Sequence, residues 1–229
     1  MGILEYKNAL EENAVAANLR NLGSLADDMV YRLPGCDDVM VRKTLQAACR
    51  DFCERTSALR FHISVTFDVG RRSYPVVAPC DCRVKAVREV KFFHLWIETV
   101  DGVEVTHKVF TPANRKWTVE PGPVVVFTGA ITEEFILSCT GFIAEVDCVP
   151  SMNSEDLPGP FVDQFGEAIV AGALSRLFAM QNRPWTDAAQ AANEKITFEK
   201  AVNEAAFQAI GPRGTDAVNY GGWAEWQAP

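Results

Sequence analysis

Residues Phe161–Val202 read FVDQFGEAIVAGALSRLFAMQNRPWTDAAQAANEKITFEKAV. They predict two helices broken at Asn182-Arg183-Pro184-Trp185. Val162, Phe165, Ile169, Ala173, Leu177 and Met180 recur at helical spacing and mark one apolar stripe on the first helix. Gly166, Ala168, Ala171, Gly172 and Ala173 add small residues that let another helix approach. Glycine inside a helix costs about 1 kcal/mol against alanine, so close packing is the reason for two of them here. Thr186 or Asp187 can cap the second helix, which is expected to run to about Ile210 and stop at Gly211-Pro212. Upstream, Pro158-Gly159-Pro160 is expected to exclude a helix before Phe161 and to end a loop reading SMNSEDLPGP.

Toward the N-terminus, Ile3 to Leu19 is rich in Leu, Ala, Glu and Asn and predicts a helix, with a break at Gly23-Ser24. Ser24 can cap a short helix, Leu25 to Tyr31, which Pro34-Gly35 ends. Asp37 or Asp38 can cap the next, because its carboxylate accepts backbone N–H groups left unpaired at a helix start. In that helix Val41, Leu45, Ala48, Cys49 and Phe52 form an amphipathic face that runs out in AACRDFCERT, Ala47 to Thr56.

Between the helical parts the spacing changes. Arg60 to Val149 holds short β-branched and aromatic runs, FHISVTF, CRVKAVREV, FFHLWIETV, VEVTHKVF, KWTVE, PVVVFTG and EEFILSCTGFIAEVDCV, separated by turn signals. Asp101-Gly102 fits a two-residue hairpin turn, and Pro121-Gly122-Pro123 is a second signal. Such regular spacing suggests an antiparallel sandwich or barrel-like sheet. The expected organisation is a helical part over 1–59, a β-rich domain over 60–150, a second helical part over 151–211 and an extended arm over 212–229. The arm, RGTDAVNYGGWAEWQAP, carries Tyr220, Trp223 and Trp226. Aromatics on a glycine-rich terminal segment suit anchoring at an interface, the alternative being that they fold back on their own subunit.

A chain of 229 residues with 48% hydrophobic content can fill a substantial core. Its net charge of −8 argues against a surface that grips nucleic acid, since phosphate neutralisation needs clustered Lys and Arg. Arg71-Arg72 and Lys85 to Lys91 read as parts of a solvated β-surface. No run is apolar and long enough for a membrane span, and MGILEYKNALEEN lacks the order of a secretory signal, so synthesis and residence in a cytoplasm are expected. The seven cysteines, Cys36, Cys49, Cys53, Cys80, Cys82, Cys139 and Cys148, then read as reduced thiols. Cys49 and Cys53 with Cys80 and Cys82 could form a four-thiolate site, but the spacing is not CxxC and no histidine is close, so no metal or other cofactor is expected.

Catalytic arrangements fail one by one. His62, His94 and His107 fall in strand-like runs without a neighbouring nucleophile. No GxSxG, GxxxxGK or GxGxxG occurs. Glu133-Glu134 reads as a solvated strand start, Glu155-Asp156 as a solvated loop, and Cys53, beside Glu54 and Arg55, lies on a core-facing stripe. The chain is therefore expected not to be an enzyme.

LADDMVYRLPGCDDVMVRKTLQAACRDFCERT (Leu25 to Thr56) and FGEAIVAGALSRLFAMQNRPWTDAAQAANEKITFEKAV (Phe165 to Val202) resemble the two helical ends of the head-to-tail adaptor proteins of tailed bacteriophages. Phe52, Cys53, Glu54 and Arg55, with Arg183, Pro184 and Trp185, are the most distinctive residues. The resemblance covers about a third of the chain closely and the rest in layout. It implies an α+β fold in which N- and C-terminal helices form one α-helical bundle around the inserted β-domain. It further implies a structural virion protein of the neck. A ring of twelve copies would sit below the portal protein, extend the DNA channel, and offer a lower face to a tail or nozzle protein. Viral DNA would pass through without sequence-specific binding. On that reading Tyr220, Trp223 and Trp226 would dock on the portal, many weak contacts acting together. Phe165, Gly166, Ile169, Gly172, Ala173, Leu177, Pro184 and Trp185 would serve subunit packing. Met1 to Leu22 and the YGGWAEWQAP tail have no counterpart in the resemblance. Two other readings are a tail-completion or neck protein, and a β-domain that binds carbohydrate or a host surface through a groove of Phe92, Trp96 and Trp117.

Overall fold

A computed structural model describes residues 19–100, 103–112 and 115–210. The fold is mixed α+β with antiparallel strand pairs. In chain order its elements are β1 (Leu19–Asn21), α1 (Gly23–Val30), α2 (Asp38–Thr56), β2 (Arg60–Thr66), β3 (Ser73–Pro75), β4 (Cys82–Val100), β5 (Val103–Pro112), β6 (Trp117–Glu120), β7 (Val124–Phe127), α3 (Glu133–Ser138), β8 (Gly141–Pro150), β9 (Asp156–Pro158), α4 (Gly159–Phe178) and α5 (Ala188–Ile210). They divide into two compact units. Among the described residues, one holds those from Leu19 to Leu59, Cys80–Cys82 and those from Val149 to Ile210; the other holds those of Arg60–Pro79 and Arg83–Cys148.

In the helical unit α4 is the central element. It exposes only Asp163, Gln164 and Glu167 and packs against α5, α2 and α1. Burial therefore extends well beyond the expected stripe, to Phe161, Ala168, Ala171, Leu174 and Phe178. Met180 lies beyond the helix end and is half-buried. Gly172 is where α5 comes closest: a Cβ there would stand 2.6 Å from the Phe198 ring. Gly166 meets Leu25 at an ordinary 3.4 Å, so the close-packing reason holds for Gly172 rather than for both.

Several local expectations are corrected. α4 begins at Gly159, two residues earlier than expected, because a proline in the first turn lacks only an N–H that would be unpaired there anyway. α1 begins at Gly23, with Leu22 at the cap position and no capping side chain there; Asn21 Oδ1 accepts the Gly23 N–H at 2.7 Å, and Ser24, rather than capping, donates to the Asn21 carbonyl. Part of the expected loop SMNSEDLPGP forms β9, which pairs antiparallel with β1 from Leu19↔Pro158 to Asn21↔Asp156. Asp37 is the cap of α2, accepting the Val39 N–H at 3.1 Å. Leu19 belongs to β1, and the rest of the helix expected over Ile3 to Leu19 lies outside the described residues.

In the second unit, β2-β8-β4-β5 form one sheet and β3-β7-β6 another. The runs CRVKAVREV and FFHLWIETV are one strand, β4, because Lys91 between them is no turn former. β4 pairs with β5 from Lys91↔Pro112 to Val100↔Val103, which leaves Asp101-Gly102, outside the described residues, as the connection. Pro121-Gly122-Pro123 joins β6 to β7, with Gly122 at φ 90°. EEFILS is not strand but α3, capped by Thr132, whose Oγ1 accepts the Phe135 N–H at 3.2 Å. Rings from both sheets meet in one cluster: Phe67, Tyr74, Phe92, Phe127, Phe135 and Phe142 stand with neighbouring centroids 5.2–6.0 Å apart.

Candidate functional site

Of the distinctive residues, Phe52 and Arg55 on α2 meet α4 and α5 of the helical unit, while Arg183, Pro184 and Trp185 lie in the turn between α4 and α5 and do not join them. The Phe52 ring of α2 lies 4.9 Å from that of Phe165 on α4 and 6.1 Å from that of Phe198 on α5. Beside this apolar contact runs a chain of charges. Arg176 on α4 donates to Asp51 at 2.7 Å, Asp51 stands 3.9 Å from Arg55, and Arg55 grips Glu199 on α5 with both terminal nitrogens, at 2.9 and 2.5 Å. The hydrogen bonds from Arg55 hold the Glu199 carboxyl below its ordinary pKa, and the reciprocal bonds raise that of Arg55. Bidentate pairing fixes the guanidinium plane, and the same group lies 5.9 Å from the Phe198 ring centre. Glu54 pairs with Arg50 within α2, and Cys53 is fully buried.

Two turns, between α1 and α2 and between α4 and α5, repeat each other at a constant offset in sequence. Pro34-Gly35-Cys36-Asp37 corresponds to Pro184-Trp185-Thr186-Asp187. The Cys36 N–H donates to the Leu33 carbonyl as the Thr186 N–H does to that of Arg183. Asp37 caps α2, and Asp187 caps α5, accepting the Ala189 and Gln190 N–H groups at 3.0 Å. Sequence reading noted each proline and each cap separately; the shared Pro-x-x-Asp spacing is the signal it missed. The turns are neighbours, since the Arg183 charge opposes the upward shift that burial and Asp37 impose on the Cys36 thiol. This end of the helical unit presents Tyr31 (91% exposed), Arg183 and Pro184. Trp185 is turned inward, its ring 5.9 Å from the Arg183 guanidinium, and its Nε1–H has no hydrogen-bond partner among the described residues.

Of the residues expected to pack subunits together, Phe165, Gly166, Ile169, Gly172, Ala173, Leu177 and Trp185 are buried within the chain's own helical unit; Pro184 alone is exposed. The small residues of α4 are used in packing α4 against α1 and α5 of the same chain. Tyr220, Trp223 and Trp226 lie outside the described residues. Of the aromatics expected to form a groove, Phe92 is buried in the ring cluster, Trp117 is half-exposed, and the side chain of Trp96 lies outside the described residues. The buried position of Phe92 removes it from any surface groove.

The cysteine pairs also come into view. Cys80 and Asp81, both at positive φ, turn the chain so that the Asp81 carbonyl accepts from the Ser151 N–H and the Cys80 carbonyl from the Ser154 hydroxyl. Burial pushes the Cys82 thiol up to about 12, and the adjacent Cys80 and Cys49 sulfurs act in the same direction. Burial raises the Cys80 thiol as well. Among the described residues no three His, Cys, Asp or Glu side chains gather as a metal would require. Burial likewise lowers His62, the His94 ring stands 3.5 Å from the Thr140 hydroxyl, and the His107 side chain is outside the described residues. Glu133 and Glu134 occupy the first turn of α3, a helix start rather than a strand start, and Asp156 accepts from Asn21 at 3.0 Å. Among the described residues of the second unit the one deeply buried carboxylate, Asp147, is held by Arg88 at 2.6 Å and Arg60 at 3.5 Å.

Among the described residues no helix is long and apolar enough to cross a membrane. No protein-family model matches the chain, and no curated protein matches it significantly.

Proposed function

We propose that the chain is a head-to-tail adaptor of a tailed bacteriophage, a structural protein of the neck whose copies form a ring under the portal. The observation that carries this reading is the joining of both resembling segments into one unit: Phe52 on Phe165 and Phe198, with Arg55 on Glu199, brings α2 against α4 and α5 across an insert of some ninety residues. On this reading the helices form a bundle, and the two sheets, with their shared ring cluster, form a sandwich. Twelve copies in heterologous contact close a ring, extend the DNA channel, and offer a platform to the tail or nozzle protein. The exposed turn surface of Tyr31, Arg183 and Pro184 supplies a contact face at one end of the helical unit. α5 runs away from those turns and is described to Ile210; Tyr220, Trp223 and Trp226 further along the chain would dock on the portal. With a net charge of −8, the channel lining is acidic or neutral and lets DNA slide.

The test is to mix the purified protein with its phage's portal ring, whole and lacking Asn219–Pro229, and image the product by electron microscopy. A ring added under the portal by the whole protein and lost on truncation is expected. Portal rings without added density in both mixtures would refute the adaptor reading, and added density with both would refute the role of the aromatic tail.

A further inference from the structure

Among the described residues nothing covers the outer side of α5. Ala189, Asn193, Ile196, Lys200, Asn203 and Phe207 recur there at alternating spacings of four and three residues, and all six are exposed, Ile196 at 67% and Phe207 at 77%. The core takes the opposite side, through Ala191, Phe198, Val202 and Ala205. A four-three repeat sustained along a helix is the seam of a helix pair, and among the described residues this seam has no mate.

The order of residues along the seam selects the mate. Counted outward from Phe198, Ala189 and Phe207 lie nine residues either side, Asn193 and Asn203 five, and Ile196 and Lys200 two. A second α5 laid antiparallel about that level therefore sets the smallest side chain of the seam against the largest and one amide, both donor and acceptor, against another. It also lays the Lys200 methylenes on Ile196, and each of these contacts is made twice. A parallel copy would oppose like to like, Lys200 to Lys200 among them.

Charge agrees. Lys195 and Glu199 line one edge of the seam and Glu204 the other, and with Lys200 the four sum to zero, a surface that gives a strongly charged partner no grip but matches itself turned end for end. In the antiparallel register Lys195 of one copy stands beside Glu199 of the other. The two Glu199 carboxylates approach across the midpoint, each held by its own Arg55, which leaves lone pairs for the lysine. Lys200 keeps Glu204 of its own helix at 3.9 Å. The seam is about 27 Å long at 1.5 Å per residue. One helix face of that length falls well short of the roughly 800 Å² per partner of a stable complex, so the pairing is weak and reversible.

We infer that the outer face of α5 is a self-association surface, on which a second copy of this chain docks its own α5 antiparallel, centred at the level of Phe198. A two-fold contact closes on itself and does not propagate into a ring, so this surface is separate from the contacts of the proposed neck assembly and does not rest on that reading.

Sedimentation velocity of the whole chain from about 5 to 500 µM is expected to show monomer passing to dimer. Phe207→Asp and Ile196→Asp are each expected to weaken association at least about tenfold, and Phe207→Leu to retain it. Both positions are exposed, and far-ultraviolet circular dichroism checks that the variants fold. The register is read with the photoreactive residue p-benzoylphenylalanine in place of Phe207. Its cross-links are expected on the peptide carrying Ala189 and Asn193, which within one chain lies about 27 Å away along the same helix and is reached only from a second copy. Monomer throughout the range, or association indifferent to both aspartate variants, overturns the inference. Cross-links from position 207 to any other segment in place of this one overturn it as well.

Discussion

Gly172→Ala probes the closest approach in the helical unit. In an open helix interior this change stabilises, by about 1 kcal/mol, because alanine has less backbone freedom to lose. Here the new methyl would stand 2.6, 2.7 and 3.1 Å from three carbons of the Phe198 ring, nearer than real Cβ contacts come. The ring has nowhere to retreat. It is 4% exposed, backed by Phe52 with centroids 6.1 Å apart, and flanked by the Arg55 guanidinium. Overpacking a filled core costs about 1–3 kcal/mol, and a trapped ring places this site at the upper end. Net of the helical gain, the loss is about 2 kcal/mol, which lowers Tm by about 4–8 °C for a chain of this size. Thermal and urea unfolding followed by far-ultraviolet circular dichroism measure it. In a Phe198→Leu background the same substitution should cost nothing or stabilise, a coupling that a double-mutant cycle isolates. A Gly172→Ala protein as stable as its parent, or more so, would refute the claim that the glycine is there for Phe198.

Asp147→Ala leaves Arg60 and Arg88 without the buried carboxylate they share and is expected to cost about 3 kcal/mol; a change within about 0.5 kcal/mol in urea unfolding would show that the pair is dispensable. Cys82 gives a pH signature. Its folded pKa, about 12, lies above the ordinary 9.0, so above pH 9.0 the unfolded chain releases a proton the native chain keeps, and stability falls as pH rises toward 12. Cys82→Ala should flatten that fall in unfolding free energy measured across the same range, and an unchanged slope would contradict the burial of the thiol. Ser57, at the C-cap of α2 with φ 54°, sits in the left-handed region. Ser57→Gly should stabilise by about 0.5–1 kcal/mol, read as a rise in urea midpoint, and a fall would mean that the serine side chain contributes more than its backbone costs.

The long elements were legible because their spacing and caps agree. Asp37 and Asp187 announce α2 and α5 beside sustained apolar stripes. The misses have separate physical causes. In EEFILS the apolar residues outweighed the Thr132 cap and the two acidic residues that suit a helix start. β1 and β9 are three residues each and exist only because they pair with one another across most of the chain, a partnership no local pattern encodes. For the candidate site, the short segments around Phe52–Arg55 and Arg183–Trp185 fall on α2 and in the turn between α4 and α5. Their side chains, however, act largely within the chain: Phe52 and Trp185 are core, and Arg55 is tied to Glu199. Composition alone could not tell a stripe that packs an intramolecular helix from one that packs a neighbour.

The return of the chain to the helical unit at Cys80–Cys82 has a consequence for how this protein can be built and rebuilt. Because Cys80 and Asp81 are held by Ser154 and Ser151, the excursion from α2 to β8 is two closed loops, Arg60–Pro79 and Arg83–Cys148, rather than one. Closure entropy grows only with the logarithm of length, by about 0.6 kcal/mol per doubling, so either loop can lengthen at little thermodynamic expense while this pin is kept. On the ribosome the order is fixed. Arg60–Cys148 is complete before α4 and α5 emerge, so α2 must wait for its partners with Phe52 still uncovered.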